Sequence, residues 1–373
     1  MKIILSGGGT GGHIYPAIAI ANALQQHAPT TECLFVGARG KMELEEVPAA
    51  GYSIVALDIK GLQRKQVLGN ITLPFKLIKS LWQAHKLLKT FRPDVVVGTG
   101  GYASFPVLYM AARQQIPTLI QEQNAVPGLT NRLLGRYATT LCVAYDGLAK
   151  YFPAQKIIHT GNPVRQTCLH LAGQRAAAQA HFHLVPTKKC LLVLGGSLGA
   201  RTINESIQHA LDQLMAAGLQ LVWVTGQSDF ARIQAQLTPQ QRNMIRVYPF
   251  IKAISWAYAA ADIVVSRAGA LAIAELCIAQ KPVIFVPSPN VTADHQTQNV
   301  ALLVAQKAAW VVKDQEARQV LAQKVIQLLQ CEATQQMLAK NSQAWARPQA
   351  ATTIAKAALY LAKATSVGTT LTV

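Results

Sequence analysis

The chain is short of acid. Across 373 residues, 17 Asp and Glu stand against 35 Lys and Arg, for a formal net charge of +18 and a pI near 9.8. Such an imbalance calls for anionic partners: phosphates, nucleic acid or an acidic membrane surface. The six cysteines are scattered with no Cys-x-x-Cys pair. That disfavours a disulfide framework or zinc site and reads as small buried thiols in a reducing compartment. No apolar run reaches the roughly 18–20 residues a bilayer crossing needs, and the apolar opening after Lys2 breaks at Gly7, too soon for a signal segment. The expected location is therefore cytoplasmic, either soluble or peripheral to a membrane. Asp-x-Asp is missing, so no obvious carboxylate site holds a metal against a diphosphate, and no metal or other cofactor is expected. The absence of Gly-x-x-x-x-Gly-Lys-Ser/Thr disfavours an ATPase.

What is present is glycine in three particular places. The turns read Gly7-Gly8-Gly9-Thr10-Gly11-Gly12-His13, Gly98-Thr99-Gly100-Gly101-Tyr102 and Gly195-Gly196-Ser197-Leu198-Gly199-Ala200, each after a short apolar run. Glycine lets the backbone turn tightly and approach a ligand closely, and a following helix offers unpaired N–H groups and a positive dipole end. That combination binds phosphate. Three such turns over two halves of one chain suggest two phosphate-bearing ligands held between two α/β domains. Strands are expected near 2–6, 33–37, 53–57, 94–98, 117–121, 140–144 and 157–160. A second series is expected near 190–194, 219–224, 245–248, 262–265, 282–286 and 310–312. Alternation of strands with helical stretches predicts parallel sheets with crossover helices. The fold class is α/β: two doubly wound Rossmann-like domains facing a cleft. The domains are expected at 1–163 and 164–346, with Gly161 to Arg165 as hinge and an Ala-rich helix within 347–373 returning to the first.

Between Ile59 and Pro93 there are eight Lys and Arg and no acid. Leu73, Leu77, Leu81 and Leu88 share one helical stripe, with Phe75, Ile78 and Trp82 at its flanks. A basic helix with such residues suits the surface of an anionic membrane; the alternative is a core-facing helix with a solvated basic side. His13, beside a glycine turn at a helix N-terminus, suits a general base. Glu275 suits hydroxyl recognition within a nucleotide site. Asp294 is a helix N-cap candidate opening the polar run Asp294 to Asn299. Glu43-Leu44-Glu45-Glu46 reads as an exposed helix face, and His181-Phe182-His183 lacks a third metal ligand nearby. The first turn satisfies Gly-x-Gly-x-x-Gly, but no acid closes the second strand, which ends Gly37-Ala38-Arg39, so dinucleotide binding is disfavoured.

Taken in order, the segments Gly7 to Ala17, Gly100 to Pro106, Glu122-Gln123-Asn124-Ala125-Val126-Pro127-Gly128, Gly161 to Arg165, Gly195 to Ala200, Ser266 to Ala270 with Glu275, and His295-Gln296 with Asn299 resemble one family. It is the bacterial UDP-N-acetylglucosamine:undecaprenyl-diphosphoryl-muramylpentapeptide N-acetylglucosamine transferases, which convert lipid I to lipid II in peptidoglycan synthesis. The resemblance implies a GT-B-type glycosyltransferase architecture with the donor in the C-terminal domain. It implies that Thr10, Gly11, Gly12, Asn124, Arg165, Ser197, Ile251, Ala270, Leu271, Ala272, Ile273, Ala274, Glu275 and Gln296 contact UDP-N-acetylglucosamine. Ile251 would offer backbone groups to uracil and Glu275 would take the ribose hydroxyls. Gly100, Gly101, Tyr102 and Ser104 would face the lipid-linked muramyl-pentapeptide acceptor, with Phe75, Ile78 and Trp82 at the membrane and His13 catalytic. The implied reaction inverts the anomeric centre without a metal, at the cytoplasmic face of the inner membrane, alongside possible cell-wall synthesis proteins.

The chain departs from the family pattern twice. Gln121 stands where the family usually has His, which raises the importance of His13, and Ala253-Ile254 replaces the usual Asp-Met after Phe250-Ile251. The alternatives are another membrane-associated UDP-sugar transferase of the same fold acting on a different lipid acceptor, and a sugar-nucleotide epimerase, for which the first half is poor in carboxylates. Nucleic acid is not an expected partner: no helix-turn-helix, zinc or RNA-binding signature occurs, and the aromatics are not interleaved with basic residues.

Overall fold

A computed structural model describes residues 1–61, 71–196, 199–291 and 294–366. The chain divides into two compact units: Met1–Val164 with the segment from Arg347 onward, and Arg165–Ala346. Val164 thus lies with the first unit, one residue beyond the boundary expected from sequence.

The first unit holds a seven-stranded sheet: β1 (Lys2–Gly7), β2 (Glu32–Ala38), β3 (Ser53–Leu57), β4 (Val95–Gly100), β5 (Thr118–Glu122), β6 (Thr140–Val143) and β7 (Ile157–His159). Its order is β3-β2-β1-β4-β5-β6-β7, and every pairing is parallel. The crossovers run through α1 (Gly11–His27), α2 (Glu43–Ala49), α3 (Leu73–Phe91), α4 (Ser104–Arg113) and α5 (Leu129–Leu134). Side chains alternate across the strands, as the pleat requires. Ile3, Leu5, Val95 and Val97 join one core cluster with α1, while Ile4 and Val96 join the other with α3, α4 and α5. Both faces are therefore covered, which is what near-continuous apolar strands demand.

The second unit repeats the plan with β8 (Lys189–Leu194), β9 (Leu219–Val224), β10 (Ile245–Tyr248), β11 (Ile263–Ser266), β12 (Val283–Phe285) and β13 (Trp310–Val311). The order is β10-β9-β8-β11-β12-β13, again parallel throughout. Its helices are α6 (Arg175–His181), α7 (Arg201–His209), α8 (Leu211–Ala216), α9 (Gln227–Gln236), α10 (Pro239–Met244), α11 (Ile254–Ala260), α12 (Ala270–Ala279), α13 (His295–Ala305), α14 (Ala317–Gln330) and α15 (Glu332–Gln343). In each unit the strand order reverses once, at β1/β4 and at β8/β11. All three glycine turns leave strands at these reversals.

Four of the six cysteines are buried, as expected of small apolar thiols, but Cys33 is half-buried and Cys331 is exposed. Cys331 departs because it precedes α15 at the surface, where the Thr334 hydroxyl and N–H lower its pKa. Among the described residues no helix is long and apolar enough to cross a membrane.

The returning helix α16 (Ala350–Ser366) closes the first unit. Its Ile354, Ala355, Ala358, Leu361 and Ala362 recur at helical spacing and share a core cluster with Ile14, Ala17, Ile20 and Leu24 of α1. Small residues allow two helices to approach closely, so Ile354 and Leu361 supply much of the apolar volume at the seam. Ile354→Ala should therefore destabilise the first unit by about 2–5 kcal/mol, from lost burial plus the cavity left behind. Differential scanning calorimetry should show the first unit's transition lowered; an unmoved transition would mean that the seam contributes little to its stability.

Candidate active-site residues

In the first unit, the turns after β1 and β4 are locked together by one residue, Thr99. Its hydroxyl donates to the His13 carbonyl at 2.6 Å. Its own carbonyl lies 2.9 Å from His13 Nδ1. A carbonyl only accepts, so Nδ1 carries the proton and the neutral ring holds its lone pair on Nε2. The arrangement depends on glycine at position 100: φ is +98° and a Cβ would stand 3.0 Å from His13 Nδ1. Thr10 N-caps α1 with extended backbone, and its carbonyl accepts from the His13 and Ile14 N–H groups. Gly11 is buried, whereas Thr10 and Gly12 are exposed.

Glu43 is fully buried beneath this turn and is not part of an exposed face. Its carboxylate accepts from Gly9 N–H at 3.2 Å and from Ala38 N–H at 3.0 Å. A Cβ on Gly8 would collide with it. The sequence places Glu43 at the start of α2 directly after β2, so its side chain turns under the adjacent β1 turn rather than outward. The Gly9 N–H is thus occupied from inside. Tyr102 packs on Gly9; burial, then the nearby Glu43 charge, raises its pKa. Gly101 is half-buried. Ser104, expected to face the acceptor, is buried: its hydroxyl donates to the Gly101 carbonyl at 2.9 Å and supports the turn that opens α4.

The loop after β5 is organised by a second buried carboxylate. Glu122 accepts from Asn124 N–H at 2.9 Å, Asn124 Nδ2 at 3.2 Å, Gly128 N–H at 3.2 Å and Asn131 Nδ2 at 2.8 Å. Burial raises its pKa and these bonds oppose the shift. Asn124 is half-exposed on this loop. Gln121 lies inside the sheet and is fully buried, donating to Asn162 Oδ1 at 3.0 Å.

In the second unit, Glu275 is 3% exposed. Arg165 grips it through Nε at 2.9 Å and Nη2 at 3.3 Å, and Tyr258 donates its hydroxyl at 2.9 Å. Burial opposes the charge on Arg165, but Glu275 more than offsets this and its pKa is raised. Tyr258 is pushed far above the phenol range by burial and by Glu275, and burial lifts the neighbouring Cys168 thiol to about 12. Tyr258 was not identifiable from sequence, since it sits in an apolar stretch of α11 that carries no polar pattern.

Glu275 rides on α12, the helix that runs from Ala270 through Leu271, Ala272, Ile273 and Ala274. Gly269 N-caps it in extended conformation with no side-chain cap. Ile251 is buried in the core cluster that also holds Ile254, Tyr258 and Ile273. Gln296 accepts from Ser288 N–H at 2.8 Å. Ser197 lies outside the described residues. Asp294 does not cap α13 through its side chain: it adopts left-handed backbone and accepts instead from the Thr297 hydroxyl at 2.7 Å. Arg267 turns inward and pairs with Asp314, donating also to the Val286 carbonyl at 3.0 Å.

The expected leucine stripe on α3 turns inward, with Leu73, Leu77 and Leu81 half-buried, while its flanking residues turn outward. Ala84 and Leu88 are buried, whereas Phe75, Ile78 and Trp82 are 75, 66 and 63% exposed. Ile71, Phe75, Ile78 and Trp82 form a continuous outward row. Lys79 pairs with Asp58 at 2.8 Å, and Lys76, Lys86 and Lys89 are exposed. Arg64 and Lys65 lie outside the described residues.

Two domain families match the chain: the glycosyltransferase family 28 N-terminal domain over residues 3–143 and the family 28 C-terminal domain over residues 190–356. The chain is 48% identical over 349 residues to the UDP-N-acetylglucosamine–N-acetylmuramyl-(pentapeptide) pyrophosphoryl-undecaprenol N-acetylglucosamine transferase of Cytophaga hutchinsonii, covering 94% of each protein. It is 48% identical over 357 residues to the same-named enzyme of Amoebophilus asiaticus, covering 95% of this chain and 98% of that one. Among solved structures, MurG of Acinetobacter baumannii superposes with a TM-score of 0.76 at 29% identity, over 96% of this chain and 99% of that one. A UDP-GlcNAc 2-epimerase from Neisseria meningitidis reaches 0.68 at 16% identity, over 96 and 100%, a likeness of fold alone.

The buried pair gives Glu275 a structural role beside the binding role that the family resemblance implies. Glu275→Ala would leave a largely buried guanidinium and phenol without their acceptor. Breaking such a pair costs about 3–5 kcal/mol when both partners are buried; Arg165 is about a third exposed, which places the expected loss near the lower end. Calorimetry should show a lowered transition for the second unit. Undiminished stability would mean that the pair contributes little to the fold.

Proposed function

We propose the function from one premise: the chain belongs to the family of UDP-N-acetylglucosamine–N-acetylmuramyl-(pentapeptide) pyrophosphoryl-undecaprenol N-acetylglucosamine transferases. It is a glycosyltransferase that moves N-acetylglucosamine from UDP-N-acetylglucosamine to the C4 hydroxyl of the lipid-linked muramyl-pentapeptide, forming lipid II for peptidoglycan. The observation that carries this reading is identity of 48% across 94% of both chains. The direct test is incubation with labelled UDP-N-acetylglucosamine and a lipid I analogue in excess EDTA, with product identification. Failure to form the disaccharide, with the donor intact, overturns the reading.

The donor is assigned to the second unit. Glu275, with its remaining lone pairs, accepts from the ribose hydroxyls; the N-terminus of α12 and Arg165 offset the charge of the departing diphosphate. The backbone at Ile251 serves uracil, and Gln296 and the Gly195–Ala200 turn complete the set. In the first unit, Gly100, Gly101 and Tyr102 serve the acceptor, whereas Thr10, Gly11, Gly12 and Asn124 are kept for UDP-N-acetylglucosamine, as the family resemblance implies. Ser104 supports the acceptor-side turn from inside.

Inversion by direct displacement needs one base for the acceptor hydroxyl as the bond from C1 to UDP breaks. His13 fits that role, because the tautomer set by Thr99 leaves the lone pair on Nε2. A base so placed contributes typically 10²–10⁴-fold. His13→Ala should lower kcat by about two orders of magnitude or more with UDP affinity unchanged by calorimetry. Normal kcat with weakened acceptor binding would instead make His13 an acceptor-positioning group.

The outward row Ile71, Phe75, Ile78 and Trp82, flanked by exposed lysines, supports peripheral attachment to an anionic membrane, at the cytoplasmic face where the lipid-linked acceptor is presented. Each basic residue near such a surface contributes about 1 kcal/mol, screened by salt. Replacing Phe75, Ile78 and Trp82 together by Ser should reduce sedimentation with anionic vesicles while preserving fold and UDP binding, since all three are already exposed to water. Undiminished vesicle binding would remove α3 from the membrane contact.

A further inference from the structure

The Thr99 carbonyl that receives His13 is shared. Gln123 Nε2 donates to the same oxygen at 2.6 Å and also to Gln121 Oε1. Gln121 Nε2 donates to Asn162 Oδ1 at 3.0 Å, and Asn162 Nδ2 returns to the Gln123 carbonyl at 3.0 Å. All three amides are buried. Among the described residues Gln123 Oε1 has no hydrogen-bond partner, a cost that tells which way the amide must point. Turning the amide over would set its oxygen against the Thr99 carbonyl and Gln121 Oε1, acceptor against acceptor. The interior therefore accepts one unpaired oxygen in order to aim an N–H at Thr99.

We propose that Gln123, oriented by Gln121, is a positioning residue for His13: by sharing the Thr99 carbonyl it weakens that carbonyl's hold on the protonated imidazole and keeps the ring neutral. The proposal rests on the assignment of His13 as base. The Nδ1–H bond to Thr99 gains strength when the ring is charged, and a second donor on the same oxygen reduces that gain more than it reduces the bond of the neutral ring. The effect travels through one oxygen atom and requires no movement.

The ionisable side chains on elements packed against α1 are Glu43, Glu45 and Glu46 of α2, Lys356, Tyr360 and Lys363 of α16, and Lys2 of β1. Tyr15 and His27 lie on α1 itself. Tyr102 and Glu122 stand by the β4 turn, Glu122 through Asn131. Substituting Gln123 leaves every one of these groups in place.

The test is NMR of the full chain labelled with ¹⁵N-histidine, titrated without substrate, beside kcat/KM against pH. In the unaltered chain the His13 ring should be the Nδ1–H tautomer. In Gln123→Leu its pKa should rise by about half to one unit, moving the acid limb of kcat/KM by the same amount, with UDP affinity retained. Gln121→Leu, which loosens the Gln123 amide without removing it, should move both in the same direction by less, and it carries the test if Gln123→Leu does not fold. An Nε2–H tautomer, or an unmoved His13 pKa in a folded variant, overturns the proposal. A shifted ring pKa with an unmoved acid limb upholds the tuning of the ring and sinks His13 as the base.

Discussion

A parallel sheet sends every strand's carboxyl end to the same edge, and a reversal of strand order opens the only gap where two outgoing loops diverge. Both units obey this constraint once, between β1 and β4 and between β8 and β11. The first glycine turn, His13 and Tyr102 lie after the first pair, with Thr99 at the end of β4 itself; the Gly195–Ala200 turn and the start of α12 lie after the second. The placement of the candidate site residues in each unit thus follows from topology before any side chain is considered. What side chains add is rigidity at the gap. Thr99 ties the backbone of one turn to the carbonyl and hydroxyl of the next, so the imidazole is held by the same residue that joins the two strands' exits.

A chain with so few acids uses several of them indoors. Glu43 holds two backbone N–H groups under the first turn, Glu122 shapes the loop after β5, and Glu275 receives Arg165 and Tyr258. Asp262 accepts from Arg175 and the Cys190 N–H, and Asp314 meets Arg267. Each satisfies donors that would otherwise be stranded away from water. The surface is correspondingly poorer in negative charge than composition alone implies, which strengthens the attraction of the exposed lysines of α3 for anions.

Strands and their turns were legible because apolar runs of four to six residues ending in glycine leave little choice of structure. The thirteen observed strands lie within one or two residues of the positions expected. The family was legible from ordered polar segments around those turns. What could not be read was the direction of individual polar side chains. Glu43 sits in a run of acids that looks solvated, yet its position one turn after β2 aims it inward. Ser104 and Arg267 stand beside candidate site glycines, but one hydroxyl and one guanidinium turn to carbonyls and an aspartate of the scaffold. Asp294 has the right identity for an N-cap and the wrong backbone. Tyr258 gave no signal at all, because a phenol in an apolar helix is indistinguishable from core until its partner is located. These misses share a cause: local sequence fixes element type, whereas the partner of a polar group comes from distant chain.

The return of α16 to the first unit means that the second unit interrupts the first in the order of synthesis. The ribosome makes α1 and then everything through Ala346 before the residues that cover the apolar seam of α1 emerge. At roughly 5–20 residues per second, the intervening 182 residues from Arg165 to Ala346 lengthen the time that seam stays open by about 10–35 s. The second unit is contiguous and free to finish while the first waits. The first unit is therefore the part of the nascent protein that needs shelter, and α16 is the helix that ends the need.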